Sequence, residues 1–393
     1  MVEYILYSNF TKEQAVKKQS FFREYIKKSD TLLLLLCVLA TVYGIVLISS
    51  STRIYGSHKF VIVQSASLVL GVALYFMLSL IDIETIAGKW KLVLVFNVAF
   101  ICSLFVFGEA GNTVNRAWLR FGGIGVQPAE VVKITFTILL AKQLVYLRSK
   151  RGINHPLSVA QLILHFAMMF GLIVVASSDL GSALVYLFIF IVMLYVAGLK
   201  FYWFAAGIAC VAAAAPFVWT HLFTERHRSL ILAPYDSTID TTGLGITWQV
   251  SRSKAAIAVG GFGGSGLYNG VYTQSGSVPQ QRTDFIFSAA GEELGFIGCL
   301  AIILLLTLII VRCVYVGIKS NHQLSMYVCF GFAAMLIFQM LENIGMCLGL
   351  TPVIGLTLPF FSYGGSSIIT MFAAMGVVSG IRRRPKPSSF SLL

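Results

Sequence analysis

Charged side chains are scarce in this sequence. Asp, Glu, Lys and Arg together make up 11% of the 393 residues, whereas hydrophobic residues make up 57%. A chain of this composition cannot hide its apolar surface in one aqueous core and must use lipid. The shortage of charge therefore excludes an ordinary soluble protein and predicts an integral membrane protein.

Paired cysteines and metal-binding patterns are also missing. The seven cysteines all lie in apolar runs without a Cys-x-x-Cys pair, and the six histidines are scattered. Neither a disulfide framework nor a zinc site is indicated. The glycine-rich stretch "GGFGGSGLYNG", residues 260–270, lacks the Gly-Lys-Ser/Thr ending of a phosphate-binding loop. We interpret it as a mobile loop whose backbone N–H groups could still meet a phosphate.

What the sequence does contain is long apolar runs. Each is close to the roughly 20 residues needed to cross a hydrocarbon layer of ~30 Å, and backbone groups in lipid must be satisfied within each segment. We therefore predict an all-α polytopic membrane protein with about ten transmembrane helices and a long extracytoplasmic loop, 223–284, between the seventh and eighth. The runs are 31–51, about 60–81, 92–107, 128–146, about 157–176, 180–199, 202–222, about 285–316, 324–348 and 352–381, the last broken by "PFFSYGGSS".

Basic residues give the orientation. With ten spans both termini lie on one side, which collects most of the lysines and arginines, whereas the opposite short loops hold only four. The positive-inside rule then makes the termini cytoplasmic. We predict a cytoplasmic segment over 1–30 with a possible amphipathic helix, a transmembrane domain over 31–381 and a basic tail over 382–393. The net charge of +13 is a topology signal with membrane lipids as its partner, and nucleic acid is not implied.

Charges inside the apolar runs are the first candidates for function, since each costs ~2.5–3.5 kcal/mol at a helix centre. Glu130 and Lys133 lie three residues apart after Pro128, so they share one helix face. They are either a structural ion pair or the floor of a hydrophilic cavity. Asp179, in "SSDLGSA", fits a helix N-cap.

Three further acids lie in the last spans. Glu342 is compatible with helix packing or with a polar cavity wall. For Glu292 and Glu293, near the start of the eighth span, a snorkelling or capping role is favoured over catalysis. The break in the tenth span points to an interior site, because irregular backbone at membrane depth is tolerated only where it is buried in protein or lines a cavity.

Four ordered motifs carry a resemblance to a known family. They are "WLRFGGIGVQPAEVVK", "DLGSA", "TDFIFSAAGEELGFIG" and "ENIGMCLGLTPVIGLTLPFFSYGGSS". Together they resemble the SEDS proteins of shape, elongation, division and sporulation, over about residues 110–381. The glycine-rich stretch followed by "VYTQSGSVPQQRTDFIF" is most similar to the cell-elongation branch, although Gln280 stands where the family usually has Glu.

The resemblance implies a peptidoglycan glycosyltransferase that polymerises lipid II on the outer face of the bacterial cytoplasmic membrane. Its partners would be lipid II, the undecaprenyl-pyrophosphate-linked glycan and a class B penicillin-binding protein. An α-linked donor giving a β-linked product requires inversion, for which one general base suffices. Asp284 matches the family's base and lies on the predicted outer side. A helix N-cap is its alternative role.

The remaining site residues follow from the same motifs. The departing pyrophosphate needs cations, and the candidates are Lys133, Arg252, Lys254 and Arg282, with a divalent cation such as Mg²⁺ as the one cofactor considered. The resemblance implies that further residues bind substrate or line its cavity: Trp118, Ser362, Tyr363, Ser366 and Ser367. Arg116 is also a candidate, although it is displaced by one residue from the arginine that the family often has directly before the tryptophan.

Two other functions share this topology. A lipid-precursor flippase would have the same helices and ligand, and inverted repeats with matched broken helices would favour it. A noncatalytic scaffold for a transpeptidase is the third possibility. Synthesis of glycan chains from lipid II by the purified protein distinguishes the enzyme from both.

The topology can be tested independently of the family. Single cysteines at Ser237 and Ser275, in a cysteine-free background, should react with a membrane-impermeant thiol reagent added outside cells. A cysteine at Ser149 should not react until the membrane is opened. Labelling of Ser149 alone would invert the orientation.

Overall fold

The computed structural model describes residues 29–109, 116–121, 124–236, 239–240 and 247–383. The predicted amphipathic helix at the N-terminus and most of the basic tail lie outside these residues. Within them the chain is a bundle of helices with one two-stranded hairpin, which confirms the predicted all-α membrane architecture.

The first half of the described chain holds the helices up to the seventh and the hairpin. They are α1 (Thr31–Ser51), α2 (Lys59–Leu80), α3 (Ile83–Gly88), α4 (Trp90–Phe107), β1 (Leu119–Phe121), β2 (Ile124–Val126), α5 (Pro128–Lys150), α6 (Pro156–Ser177) and α7 (Leu180–Val196). The strands are antiparallel and pair Leu119 with Val126.

The second half holds seven more helices. They are α8 (Phe201–Phe217), extended by a π-helical turn (Val218–Leu222), α9 (Glu225–Leu232), α10 (Trp248–Gly260), α11 (Val271–Gln274), α12 (Ile286–Lys319), α13 (Gln323–Leu348) and α14 (Gly365–Arg383). The predicted outer interval 223–284 therefore contains α9, α10 and α11 rather than loop alone.

A helix lies at each of the ten predicted spans. Among the described residues, eight are long and apolar enough to cross a membrane: α1, α2, α4, α6, α8 with its extension, α12, α13 and α14. The apolar α7 is shorter, at 17 residues. The remaining span, α5, has 23 residues but is more polar, because it carries Glu130, Lys133 and Lys142.

The tenth span differs from its prediction. Residues 352–364 form no regular helix, and α14 begins only at Gly365. Pro352 and Pro359 remove backbone donors, and Gly355 adopts a positive φ of 71°. The span is thus an irregular segment followed by one helix, rather than one helix with an internal break.

The centre of the bundle is formed by α13 and α14, which are mostly buried. α14 packs along α2, and a glycine permits the close approach. A Cβ on Gly376 would lie 2.6 Å from the carbonyl oxygen of Tyr75, so any larger residue would push the two helices apart. In contrast, α8 has no buried residue.

A charge cluster ties three helices together at the predicted cytoplasmic end. Asp30 is fully buried and caps α1 by accepting from the Leu33 amide. Its carboxylate pairs with Arg312 of α12 and Arg382 of α14, each at 2.9 Å. Two cations and a cap thus compensate the burial of this charge.

The glycine-rich stretch is built into the fold. At Gly295 the backbone of α12 leaves helical geometry, with φ 64° and ψ −159°. The amides of Ser265 and Gly266 donate to the carbonyls of Glu292 and Glu293, each at 2.9 Å, and the amide of Phe296 donates to Gly261 at 2.9 Å. The stretch therefore satisfies the backbone groups that the break in α12 releases.

The side chains of the two glutamates fix the same region. Glu292 accepts from the amides of Tyr272 and Thr273 at 2.7 and 2.8 Å. Glu293 accepts from Ser50 at 2.7 Å and from Gln274 at 2.8 Å. Both are buried, so the snorkelling alternative is wrong, because neither carboxylate reaches water. The capping alternative describes Glu292, which accepts from amides in the first turn of α11, and the two carboxylates together anchor α11 to α1 and α12.

Candidate active site

Asp284 lies at the predicted outer end of the bundle, two residues before α12. Its backbone carbonyl accepts from Asn343 of α13 at 2.8 Å and from the thiol of Cys347 at 3.7 Å. The same Asn343 amide donates to the carbonyl of Leu356 at 2.7 Å. One side chain therefore holds Asp284 beside the irregular segment before α14.

The neighbouring residues are joined to that segment directly. The Ser362 hydroxyl donates to the carbonyl of Thr283 at 2.6 Å, and the Tyr363 amide donates to the carbonyl of Arg282 at 2.8 Å. Gln64 of α2 secures the segment from the other side by donating to the carbonyl of Ser362 at 3.0 Å. These bonds give Asp284 a rigid backbone.

The Asp284 side chain is half-buried, and its pKa is raised from the usual value to about 6. Removal from water is the largest cause, since it disfavours the charged form. The negative charge of Asp179 acts in the same direction, and a hydrogen bond from Thr283 acts against both. Of its two possible roles, the helix cap is not observed, because α12 has no side-chain cap.

Asp179 caps α7 as its position predicted. Its carboxylate accepts from the Ser182 amide at 3.0 Å, the Ser182 hydroxyl at 2.7 Å and the Gln127 amide at 2.8 Å. Burial raises the pKa of Asp179, and the Ser182 bonds oppose that shift. The cap is therefore also a charge that acts on Asp284.

Glu130 and Lys133 form an ion pair with 2.6 Å between Nζ and Oε1. Lys133 is fully buried and Glu130 is 4% exposed. One glutamate oxygen, Oε2, is buried without a hydrogen-bond partner. The ion pair that the spacing predicted is present, and its free oxygen leaves a polar group that a ligand could satisfy.

These groups form one electrostatic unit. The charges of Glu130 and Lys133 act on Asp179, and Asp179 acts on Asp284. The unit, which we call the acidic cluster, consists of Asp179, Asp284, Glu130 and Lys133. It contains three carboxylates and one lysine ammonium group, so a positively charged group would be attracted to it.

The basic candidates lie in different surroundings. Arg282 is partly buried, and its guanidinium lies over the rings of Phe60 and Tyr55, with its carbon 4.6 and 5.1 Å from their centroids. Arg252 and Lys254 are exposed on α10, and the Lys254 side chain runs past Gly349 at the end of α13. Of the four basic candidates, Lys133 is paired with Glu130. The other three, Arg282, Arg252 and Lys254, remain accessible.

The other predicted residues are less closely joined to Asp284. Arg116 is exposed, and the half-buried Trp118 packs on Gly125 of the hairpin. Ser366 and Ser367 are buried in the first turn of α14, where the Ser366 hydroxyl has no partner. Among the described residues, no hydrogen bond or ion pair links these four to the acidic cluster.

Several residues that shape the site were not predicted as part of it. Gln127 links the acidic cluster across α5 and α7, Asn343 holds the carbonyl of Asp284, and Gln64 holds the irregular segment. Each is an amide within or beside an apolar run. The contrast between a polar amide side chain and its apolar neighbours is a signal in the sequence. The sequence does not reveal, however, which amide binds which carbonyl.

A dedicated metal site is not evident in the part of the chain that the structure describes. No group of three or more His, Cys, Asp or Glu side chains there could hold a metal ion. Asp179 and Asp284 are two carboxylates, and Mg²⁺ is commonly bound by one or two carboxylates together with substrate phosphates. Any cation here would therefore require ligands from a substrate.

Comparison with known proteins places these features in context. A family model described as a cell cycle protein, covering FtsW, RodA and SpoVE, matches residues 30–386. The chain is 28% identical over 372 residues to the peptidoglycan glycosyltransferase MrdB of Escherichia coli K12, covering 94% of this chain and 98% of that one. It is 31% identical over 379 residues to the probable peptidoglycan glycosyltransferase FtsW of Bacillus subtilis, covering 91% and 92%.

A solved structure has the same fold. It comes from work on the structural coordination of polymerization and crosslinking by a peptidoglycan synthase complex. The TM-score is 0.78 at 29% identity, over 90% of this chain and 98% of that chain. The likeness covers almost the whole described bundle.

The buried ion pair makes a prediction about stability. Glu130→Leu or Lys133→Met alone should destabilise the protein by ~3–5 kcal/mol, because each leaves one buried charge unpaired. The double variant should recover much of that loss. Thermal unfolding of the detergent-purified protein measures both effects, and single variants as stable as the wild type would show that the pair is hydrated rather than buried.

Proposed function

Since the chain belongs to the family of cell cycle proteins that comprises FtsW, RodA and SpoVE, it is a peptidoglycan glycosyltransferase, and we propose that Asp284 is its general base. The relatives that carry this activity in their names cover more than nine-tenths of the chain. The observation that supports Asp284 is its half-buried carboxylate with a pKa of about 6, held on a backbone that Asn343 fixes.

The substrate we propose is lipid II. Its sugar is α-linked to a lipid pyrophosphate and the glycan product is β-1,4-linked, so the anomeric carbon must be inverted. In a single displacement the acceptor 4-hydroxyl attacks as its proton moves to a carboxylate. A base with a pKa of about 6 is mostly deprotonated at neutral pH and still basic enough to take that proton.

Asp179 contributes through its charge. Because it raises the pKa of Asp284, it increases the basicity of the proposed base. Its own oxygens are occupied by Ser182 and Gln127, which makes it a positioning residue rather than a second base. The ion pair of Glu130 and Lys133 extends the acidic cluster below it.

The departing pyrophosphate requires positive charge. We assign this role first to Arg282, two residues before Asp284, whose guanidinium is kept in place by Phe60 and Tyr55. Lys254 and Arg252 on α10 are the further candidates. A Mg²⁺ ion is a separate proposal: carboxylates of the acidic cluster would help to hold it together with substrate phosphates, and it would supply positive charge for the leaving group.

The setting of the reaction follows from the same family. The protein is a multi-pass membrane protein, and we propose that it lies in the bacterial cytoplasmic membrane with both termini inside and Asp284 outside. The solved relative belongs to a complex in which polymerization and crosslinking are coordinated. A crosslinking enzyme, a class B penicillin-binding protein, is therefore the partner we propose.

We propose that the protein synthesises glycan during cell elongation. The glycine-rich stretch and the sequence that follows it resemble the elongation branch, and MrdB is among the relatives. The FtsW relative is similarly close, so the assignment depends on the stretch that pairs with the break in α12. Complementation of an elongation-defective strain, compared with a division-defective one, tests it.

The role of Asp284 is tested by Asp284→Asn. The amide keeps the size and hydrogen-bonding capacity of the side chain but cannot accept a proton at neutral pH. We expect glycan synthesis from fluorescent lipid II to fall at least ~100-fold, the lower end of what general base catalysis contributes. Expression, membrane insertion and partner binding should remain unchanged.

Glu225→Gln is the matched control, because Glu225 is an exposed carboxylate in the same predicted outer interval. It should retain wild-type glycan synthesis. Near wild-type rates in purified Asp284→Asn would remove Asp284 from the mechanism and direct the search to Glu130. A flippase or scaffold would tolerate the exchange in its own assay.

The raised pKa of Asp284 predicts a pH dependence. The base acts in its deprotonated form, so kcat/KM should rise with pH through about 6 and level off above it. The profile is measured from steady-state rates of glycan synthesis at pH values from about 5 to about 8. The residual activity of Asp284→Asn should lack this step, and an unchanged step in that variant would assign it to another group.

A further inference from the structure

A groove lies between α4, α5 and α6, away from the acidic cluster. Its volume is about 600 Å³, within the range of ~300–1,000 Å³ typical of ligand sites. Part of its wall is apolar and faces outward from the bundle, since Leu164 is 71% exposed and Met168 37% exposed. In a membrane, lipid is what covers such side chains.

One end of the groove lies at the predicted cytoplasmic surface. Trp90, the first residue of α4, and Lys142 both line it. Lys142 also lines a second cavity, together with Asn321 and His322 of the loop between α12 and α13. Tryptophan at a helix end is typical of the interface with water, and a lysine inside a helix can reach that interface with its long side chain. The groove therefore runs from that interface into the bilayer, towards Leu139 and Leu164.

The polar end carries positive charge without a partner. No acidic residue lines the groove, and among the described residues Lys142 makes no ion pair. Glu84, which also lines the second cavity, is exposed and lies 3.5 Å from Nδ1 of His322, and no ion pair joins it to Lys142. Lys142 is thus free to bind an anion at the level of the headgroups.

A chain of hydrogen bonds fixes the polar side chains beside Lys142. The Gln143 amide nitrogen donates to the carbonyl of Gln161 at 3.1 Å, which directs the Gln143 amide oxygen to His165 Nδ1 at 2.8 Å. In the neutral ring Nδ1 then carries the proton. The other ring nitrogen, Nε2, is buried and has no partner, whereas the exposed side chain of Gln161 lines the groove and can bind a hydroxyl group.

We propose that this groove binds an anionic glycerophospholipid of the cytoplasmic leaflet. The phosphate meets Lys142, a headgroup hydroxyl meets the side-chain amide of Gln161, and the acyl chains cover Leu164 and Met168. The headgroup of phosphatidylglycerol has a net negative charge and free hydroxyls, whereas the headgroup of phosphatidylcholine has no net charge and no hydroxyl.

Native mass spectrometry of the full-length detergent-purified protein tests the proposal. The probes are phosphatidylglycerol and phosphatidylcholine with identical acyl chains, offered in competition. We expect one phosphatidylglycerol to be retained with about a fivefold preference, the effect of one lysine near an anionic headgroup. Lys142→Gln should abolish the preference. Lys200→Gln, which changes an exposed lysine outside the groove, should keep it.

A second variant locates the lipid. Leu164→Trp fills the groove at a lipid-exposed position, so the protein should fold normally and lose the retained phosphatidylglycerol. Equal retention of both lipids by the wild type would overturn the proposal, as would a preference that survives Lys142→Gln or Leu164→Trp. Retention of undecaprenyl phosphate instead of phosphatidylglycerol would assign the groove to the lipid carrier of the substrate. That result would also overturn the proposal.

Discussion

The requirement that every backbone N–H and C=O at membrane depth find a partner shapes this protein more than any single contact. The bundle breaks helical geometry twice near its predicted outer end, at Gly295 and in residues 352–364. Both breaks are compensated from outside their own helix. The glycine-rich stretch supplies partners for the first, and residues 282–283 with Gln64 do so for the second.

The second of these breaks fixes the backbone around Asp284. The irregular segment brings backbone groups and Asn343 against Asp284. The same arrangement anchors the proposed base on rigid elements and partly removes its carboxylate from water, which is the largest cause of its raised pKa.

The sequence predicted the membrane class, the helices and the pairing of Glu130 with Lys133, because apolar runs and a spacing of three residues are local properties. It also predicted the cap at Asp179. It did not predict that Glu292 and Glu293 are buried anchors, since their partners Ser50, Tyr272 and Gln274 are remote in the chain. The same holds for Asn343 and Gln127, whose bonds depend on how helices meet, and for the non-helical start of the tenth span.

The polarity of α5 has a consequence for synthesis of the protein. Its buried ion pair and Lys142 leave it outside the set of helices that are apolar enough to span a membrane by composition. Insertion of such a segment on its own is unfavourable, because each charge costs several kcal/mol in the translocon. We therefore expect α5 to enter the bilayer together with its neighbours in sequence, α4 before it and α6 after it, both of which are apolar enough to span a membrane. Insertion of this region is then cooperative, because a polar helix depends on the apolar helices beside it.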